Sequence, residues 1–161
     1  MLCNFVSTKQ LNIMSTRVKI DQAQPEVYKA VYALETSIHK TILTAKHREL
    51  IKIRASQING CAFCIDMHTK DARKGGETEQ RIYGLNAWRD TPFYDEQERA
   101  LLALTEEVTL ISKGGVSDET YNNAVAVMDE KYVAAAIMAI ITINAWNRIA
   151  ISTHLEPVLA K

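Results

Sequence analysis

Cysteine is scarce in this chain: three residues among 161, two of them three positions apart and the third stranded at Cys3. That is too few and too uneven for the disulfide framework of a small secreted domain, and it points to a reducing compartment. An excess of one charge is lacking too. Nineteen basic residues face nineteen acidic ones, so the molecule offers no overall basic face for tracking phosphates, and nucleic acid is not an expected partner. The most apolar stretch, Val133 to Ile143, falls well short of the roughly 20 residues of a membrane span. The first ten residues show no basic segment followed by an apolar one, so no secretory leader is expected. Together these absences lead to the expectation of a cytoplasmic protein with neither membrane nor nucleic-acid partner.

Proline and glycine are few as well, three and six, and no stretch alternates apolar and polar residues as a half-buried strand would. What is present is helical periodicity. From Pro25, which suits a first helical turn, Val27, Val31, Leu34, Ile38 and Ile42 recur at steps of three and four. A second helix runs over 45–58 and breaks at Asn59-Gly60, residues that tolerate the left-handed backbone ending helices. A third starts near Cys61 and stops at Gly75-Gly76. Shorter turns lead to Pro92, followed by a helix over about 95–112. Ser117 opens another, with Asp118 and Glu119 where acids complement the helix dipole. The last, about 130–153, is apolar on most faces and therefore expected at the centre of something, part of it against a partner subunit. The fold expected is all-α, with six to eight helices in one domain over residues 21–161. Residues 1–20 read as an extension outside the core, with Met14 as a conceivable second start and Cys3 as a tail thiol.

The chemistry concentrates in Asn59-Gly60-Cys61-Ala62-Phe63-Cys64-Ile65-Asp66-Met67-His68. The break places Cys61 and Cys64 in a first helical turn, where unpaired N–H groups and the dipole favour a thiolate. A spacing of three stacks the sulfurs on one face, within reach of an intramolecular disulfide. His68, four residues past Cys64, shares that stripe and can exchange protons near neutrality. Thiol redox chemistry leads this reading. Structural zinc on Cys61, Cys64 and His68 stays open, with His39, His47 or His154 as a fourth ligand, and so does inert packing. A thioredoxin-like site would need strands. Haem attachment would need histidine where Ile65 stands.

Three further features are less specific. Lys46, His47, Arg48, Lys52 and Arg54 read as a solvated helix face, or as a docking face for a partner. Asn144, Trp146, Asn147 and Arg148 read as the amphipathic end of a buried helix, with a groove border or subunit contact as the functional alternative. Tyr28, Tyr32 and Met138 read as core or interface.

Glu49, Cys61, Cys64 and His68 stand at the spacing of a known signature: Glu, twelve residues on Cys-x-x-Cys, then His four beyond. With the surrounding run from Arg48 to Gly75, and with Asn-Ala-Trp-Asn-Arg-Ile-Ala from Asn144, the chain resembles the carboxymuconolactone decarboxylase-like family over roughly residues 25–155. Within that family it resembles the alkyl hydroperoxidase D core. The resemblance implies a thiol-dependent peroxidase with no cofactor and no bound metal. Cys64 would attack the peroxide, Cys61 would resolve the sulfenic acid as a disulfide, and Glu49 with His68 would relay the proton. It also implies a hydroperoxide substrate, a dithiol electron-donor protein and a trimer or hexamer. A general disulfide oxidoreductase, or a zinc-bound or redox-sensing module without turnover, are the alternatives. The peroxidase members carry a second histidine where this chain has Phe63, which removes one relay candidate. Members without the cysteine pair are lactone decarboxylases, and both cysteines here argue against that activity.

Overall fold

A computed structural model of the chain describes residues 17–159, so Cys3 and nearly all of the expected extension lie outside them. Among the described residues there are eight α-helices and no strand. They are α1 (Ile20–Ala23), α2 (Pro25–Ile38), α3 (Ala45–Asn59), α4 (Ala62–Lys74), α5 (Glu79–Gly84), α6 (Glu96–Thr109), α7 (Asp118–Val127) and α8 (Glu130–Thr153). Two short 3₁₀ turns, Leu85–Asp90 and Ile111–Lys113, flank α6.

Local chemistry sets most of the boundaries. Thr44, Thr78, Asp95, Ser117 and Asp129 each cap a helix by accepting the backbone N–H three residues on, which satisfies a donor the helix leaves unpaired. Asp95 and Glu98 complete a reciprocal capping box.

α3 is the central element, packed against α4, α6 and α8, while α2 lies on α8 and α7 on α6. The main core joins Ile51 and Ala55 of α3, Leu101 and Leu104 of α6, and Ala136, Ile140 and Ile143 of α8. A smaller cluster joins Leu50, Ile53, Ala72, Leu85, Trp88 and Leu102 on the opposite flank of α3.

α8 is long and apolar enough in composition to cross a bilayer, yet much of it is the core helix of this bundle. Its remaining face is exposed at Ala134, Met138 and Ile141. Three expectations need correcting. The apolar stripe of α2 buries only its middle, with Val31 and Leu34 partly covered and Ile38 buried, because α2 is peripheral; Val27 and Ile42 face outward. Tyr32 and Met138, read as core or interface, are exposed in the single chain and so outside its core. The basic run does not form a solvated face: His47, Arg48 and Lys52 are buried, because α3 has neighbours on several sides.

Candidate active site

The site is built on the hairpin of α3 and α4. Gly60 ends α3 with φ +70°, a left-handed conformation that costs a side-chain-bearing residue roughly 1 kcal/mol or more. The N–H groups of Gly60 and Cys61 donate back to Gln57 O and Ser56 O, closing the end of the helix as a glycine cap does.

This break is clamped by the asparagines of α8. Asn59 Nδ2 donates to Asn144 Oδ1 (3.0 Å) and Asn147 Oδ1 (2.8 Å), and Asn147 Nδ2 donates to Ser56 Oγ at 3.0 Å. Asn144 in turn donates to Thr109 on α6. The Asn144–Arg148 cluster thus fixes the turn before Cys61, a positioning role that the sequence reading did not assign. Asn147→Ala takes the amide donor from buried Ser56 Oγ and one of the two acceptors from Asn59 Nδ2. Its expected cost is about 1–3 kcal/mol, read as a fall of several degrees in the unfolding midpoint.

Cys61 caps α4: its sulfur accepts the backbone N–H of Cys64 at 3.4 Å. Cys61 and Cys64 form a disulfide, with Cα atoms 5.4 Å apart. Both are buried, at 1 % and 2 % exposure, within the main core cluster against which Phe63 and Trp146 also pack. In the chain taken alone the oxidised pair is therefore sealed from water, and a reagent reaches it only through local opening of the first turn of α4.

One turn further along α4, His68 Nδ1 lies 2.8 Å from Glu49 Oε2 on α3. The four residues of the signature thus sit on two packed helices, Cys61, Cys64 and His68 on one and Glu49 on the other. Glu49 does not act alone. Its second oxygen faces Lys52 Nζ at 4.0 Å, and Lys52 also bonds Glu35 on α2, which bonds His39 at 2.9 Å. Polar groups thus run from buried His68 through Glu49, Lys52 and Glu35 to His39, whose side chain is 49 % exposed. Burial pushes the Glu35 carboxyl up, but the hydrogen bond and charge of Lys52, then those of His39, outweigh it and hold the group below the ordinary carboxylate value.

Sequence reasoning did not place Lys52, Glu35 or His39 in this cluster: it read Lys52 within the basic run and His39 as a possible fourth zinc ligand, and did not single out Glu35. Position 52 falls three residues after Glu49, so helical spacing offered a signal; nothing marked Glu35 before the tertiary packing was known. Asp66 pairs with Lys70 at 2.7 Å, partly exposed and away from the relay. Among the described residues no three His, Cys, Asp or Glu side chains are grouped to hold a metal ion, which leaves the zinc reading without a ligand set there.

Comparison with known proteins agrees with this architecture. The carboxymuconolactone decarboxylase family model matches residues 25–107, and the chain belongs to that family. The Bacillus subtilis (strain 168) protein YdfG, uncharacterized, is 48 % identical over 139 residues, spanning 86 % of this chain and 95 % of that one. The crystal structure of ATU0492 from Agrobacterium tumefaciens, a protein of unknown function named provisionally as the antioxidant defence protein AhpD, superposes with a TM-score of 0.87. It is 41 % identical over 89 % of this chain and 99 % of its own. A peroxidase-related protein from Silicibacter sp. TM1040 shares the fold alone, at 21 % identity and a TM-score of 0.72 over 81 % of this chain and 69 % of its own. The fold is the AhpD-like helical fold.

Proposed function

We propose that this chain is a thiol-dependent peroxidase of the alkyl hydroperoxide reductase type, cycling Cys61 and Cys64 between dithiol and disulfide. The observation that supports it is the meeting of a cysteine pair at the start of α4 with the His68–Glu49 pair one turn on. In the reduced chain His68, backed by Glu49, takes the proton of the Cys64 thiol. The thiolate attacks the terminal peroxide oxygen, the O–O bond breaks, and the alkoxide leaves as the alcohol with the relayed proton. Cys64 is then a sulfenic acid. The Cys61 sulfur displaces its hydroxyl as water, and the disulfide forms. A dithiol electron-donor protein restores both thiols by becoming a disulfide itself.

The same reading puts the protein in the cytoplasm, where donor thiols are available, and in a homo-oligomer, a trimer or hexamer. The exposed residues Ala134, Met138 and Ile141 of α8 recur at coiled-coil spacing and offer an apolar seam to a second copy. A second reading, a general disulfide oxidoreductase without peroxide turnover, is supported by the Cys61–Cys64 disulfide itself, since thiol–disulfide exchange asks for no more than such a pair.

The test is a thiol titration of reduced protein before and after one equivalent of alkyl hydroperoxide. Peroxidase chemistry removes two thiols per chain and yields the Cys61–Cys64 disulfide by mass spectrometry. Unchanged thiols, with the disulfide still exchanging with small dithiols, sink the peroxidase reading in favour of the second.

A further inference from the structure

A cavity of about 490 Å³ opens beside the relay, between the first half of α3 and the end of α4, within the size range of small-molecule sites. Glu49 lines it, so it abuts the group that holds His68. Part of its wall is apolar, from Ala45, Leu50 and Ala72.

The charges around it are unevenly matched. His39 pairs with Glu35 at 2.9 Å, Lys46 with Glu98 at 2.7 Å, Glu49 with His68 at 2.8 Å and Asp71 with Lys74 at 3.1 Å. Arg81 pairs with Glu77 (2.8 Å) and Glu98 (2.6 Å). Arg48 has no carboxylate partner among the described residues. The residue is only 9 % exposed, Nε has no hydrogen-bond partner among the described residues, and Nη1 makes one long bond, 3.4 Å, to Leu43 O. A guanidinium stays charged, and burying it unpaired is costly. Glu77 Oε2, on a residue that also lines the cavity, is likewise buried without a donor among the described residues.

We infer that this cavity binds a monocarboxylic acid with an apolar chain, its carboxylate pairing with Arg48 and its chain lying along Ala45, Leu50 and Ala72. An acid supplies the planar acceptor that an arginine fork matches. The free acceptor on Glu77 repels a second carboxylate, so the site selects a monoacid over a diacid. That this acid is the head group of the hydroperoxide substrate rests on the peroxidase reading; binding of the acid itself does not.

Calorimetric titration of the oxidised protein, with no peroxide present, tests the site using octanoate, 1-octanol and the eight-carbon diacid suberate. Octanoate is expected to bind more tightly than either control. Arg48→Met is expected to weaken octanoate binding about ten- to hundredfold, the loss of a charge-assisted hydrogen bond. Ala45→Trp, at an exposed wall position, narrows the cavity without touching the core and decides the matter if the arginine variant does not fold. No octanoate binding, or undiminished affinity in the folded Arg48→Met or Ala45→Trp protein, overturns the proposal. A chain that binds octanoate yet consumes no hydroperoxide keeps the site and loses only the peroxidase reading.

Discussion

On the peroxidase reading, replacing Cys64 by serine is expected to lower hydroperoxide consumption by about a thousandfold or more, the scale set by removing an enzyme's nucleophile. Cys61→Ser is expected to behave differently, consuming one equivalent and stopping at a sulfenic acid that dimedone captures as a mass increase. The asymmetry follows from position. Cys64 lies inside the first turn of α4 with His68 one turn beyond it on the same face, where residues four apart are neighbours. Cys61 sits at the cap itself, its sulfur already engaged with the Cys64 N–H. The cap also favours a thiolate on Cys61, so the competing assignment has a physical basis and a distinct signature. Retention of the first turnover in Cys64→Ser with its loss in Cys61→Ser would reverse the two roles. Because both sulfurs are buried, the rate of that first turnover also reports how readily the first turn of α4 opens. A Gly60→Ala chain, strained at φ +70°, would change it without altering either thiol.

The bounds of α8 were readable because its start carries an aspartate cap and its apolar run is long, and the sequence expectation of about 130–153 coincides with Glu130–Thr153. The stop of α3 at Gly60 and the start of α4 at Cys61 were legible for the same local reason. Local signals failed on α3. Its sequence intersperses Lys46, His47, Arg48, Lys52 and Arg54 among apolar residues, and charge at that density reads as a solvent face. The structure buries three of them because α4, α6 and α8 all pack on this helix, and the partners of His47 and Lys52 come from elsewhere. Tyr132 Oη lies 2.7 Å from His47 Nδ1, and Glu35 meets Lys52 from α2. Pairings across such sequence distances leave no periodic trace. The Glu49–His68 contact was likewise invisible to periodicity and came only through the family signature. Asn144 and Asn147 show the opposite error: read as the end of an amphipathic helix, they hold the turn that presents Cys61.

Lys52→Met is expected to cost about 3–5 kcal/mol, the penalty for removing one member of a buried charge network. Methionine keeps the apolar stem, so the loss is of charge and hydrogen bonding rather than volume. The Lys52 side chain is 4 % exposed and stands between Glu35 and Glu49; without it two partly buried carboxylates share no lysine and keep, among the described residues, only His39 and His68 as partners. The pH dependence distinguishes this from simple repacking. In the wild type Glu35 is held below its ordinary value, chiefly by Lys52 working against burial. A carboxylate with a lowered folded pKa contributes stability that is present above the unfolded value, about 4.3. That contribution is lost as pH falls through the folded value. The deficit of Lys52→Met is therefore largest near pH 7 and narrows as pH is lowered past the unfolded value, about 4.3, toward the lowered folded value of Glu35. Denaturant midpoints at the two pH values measure it. A deficit that does not change with pH, or a variant as stable as the wild type, removes Lys52 from the network. Turnover adds a second reading. If Lys52 only holds Glu49 in place for His68, peroxide consumption falls through kcat and the acid limb of the profile moves, while KM stays near its wild-type value.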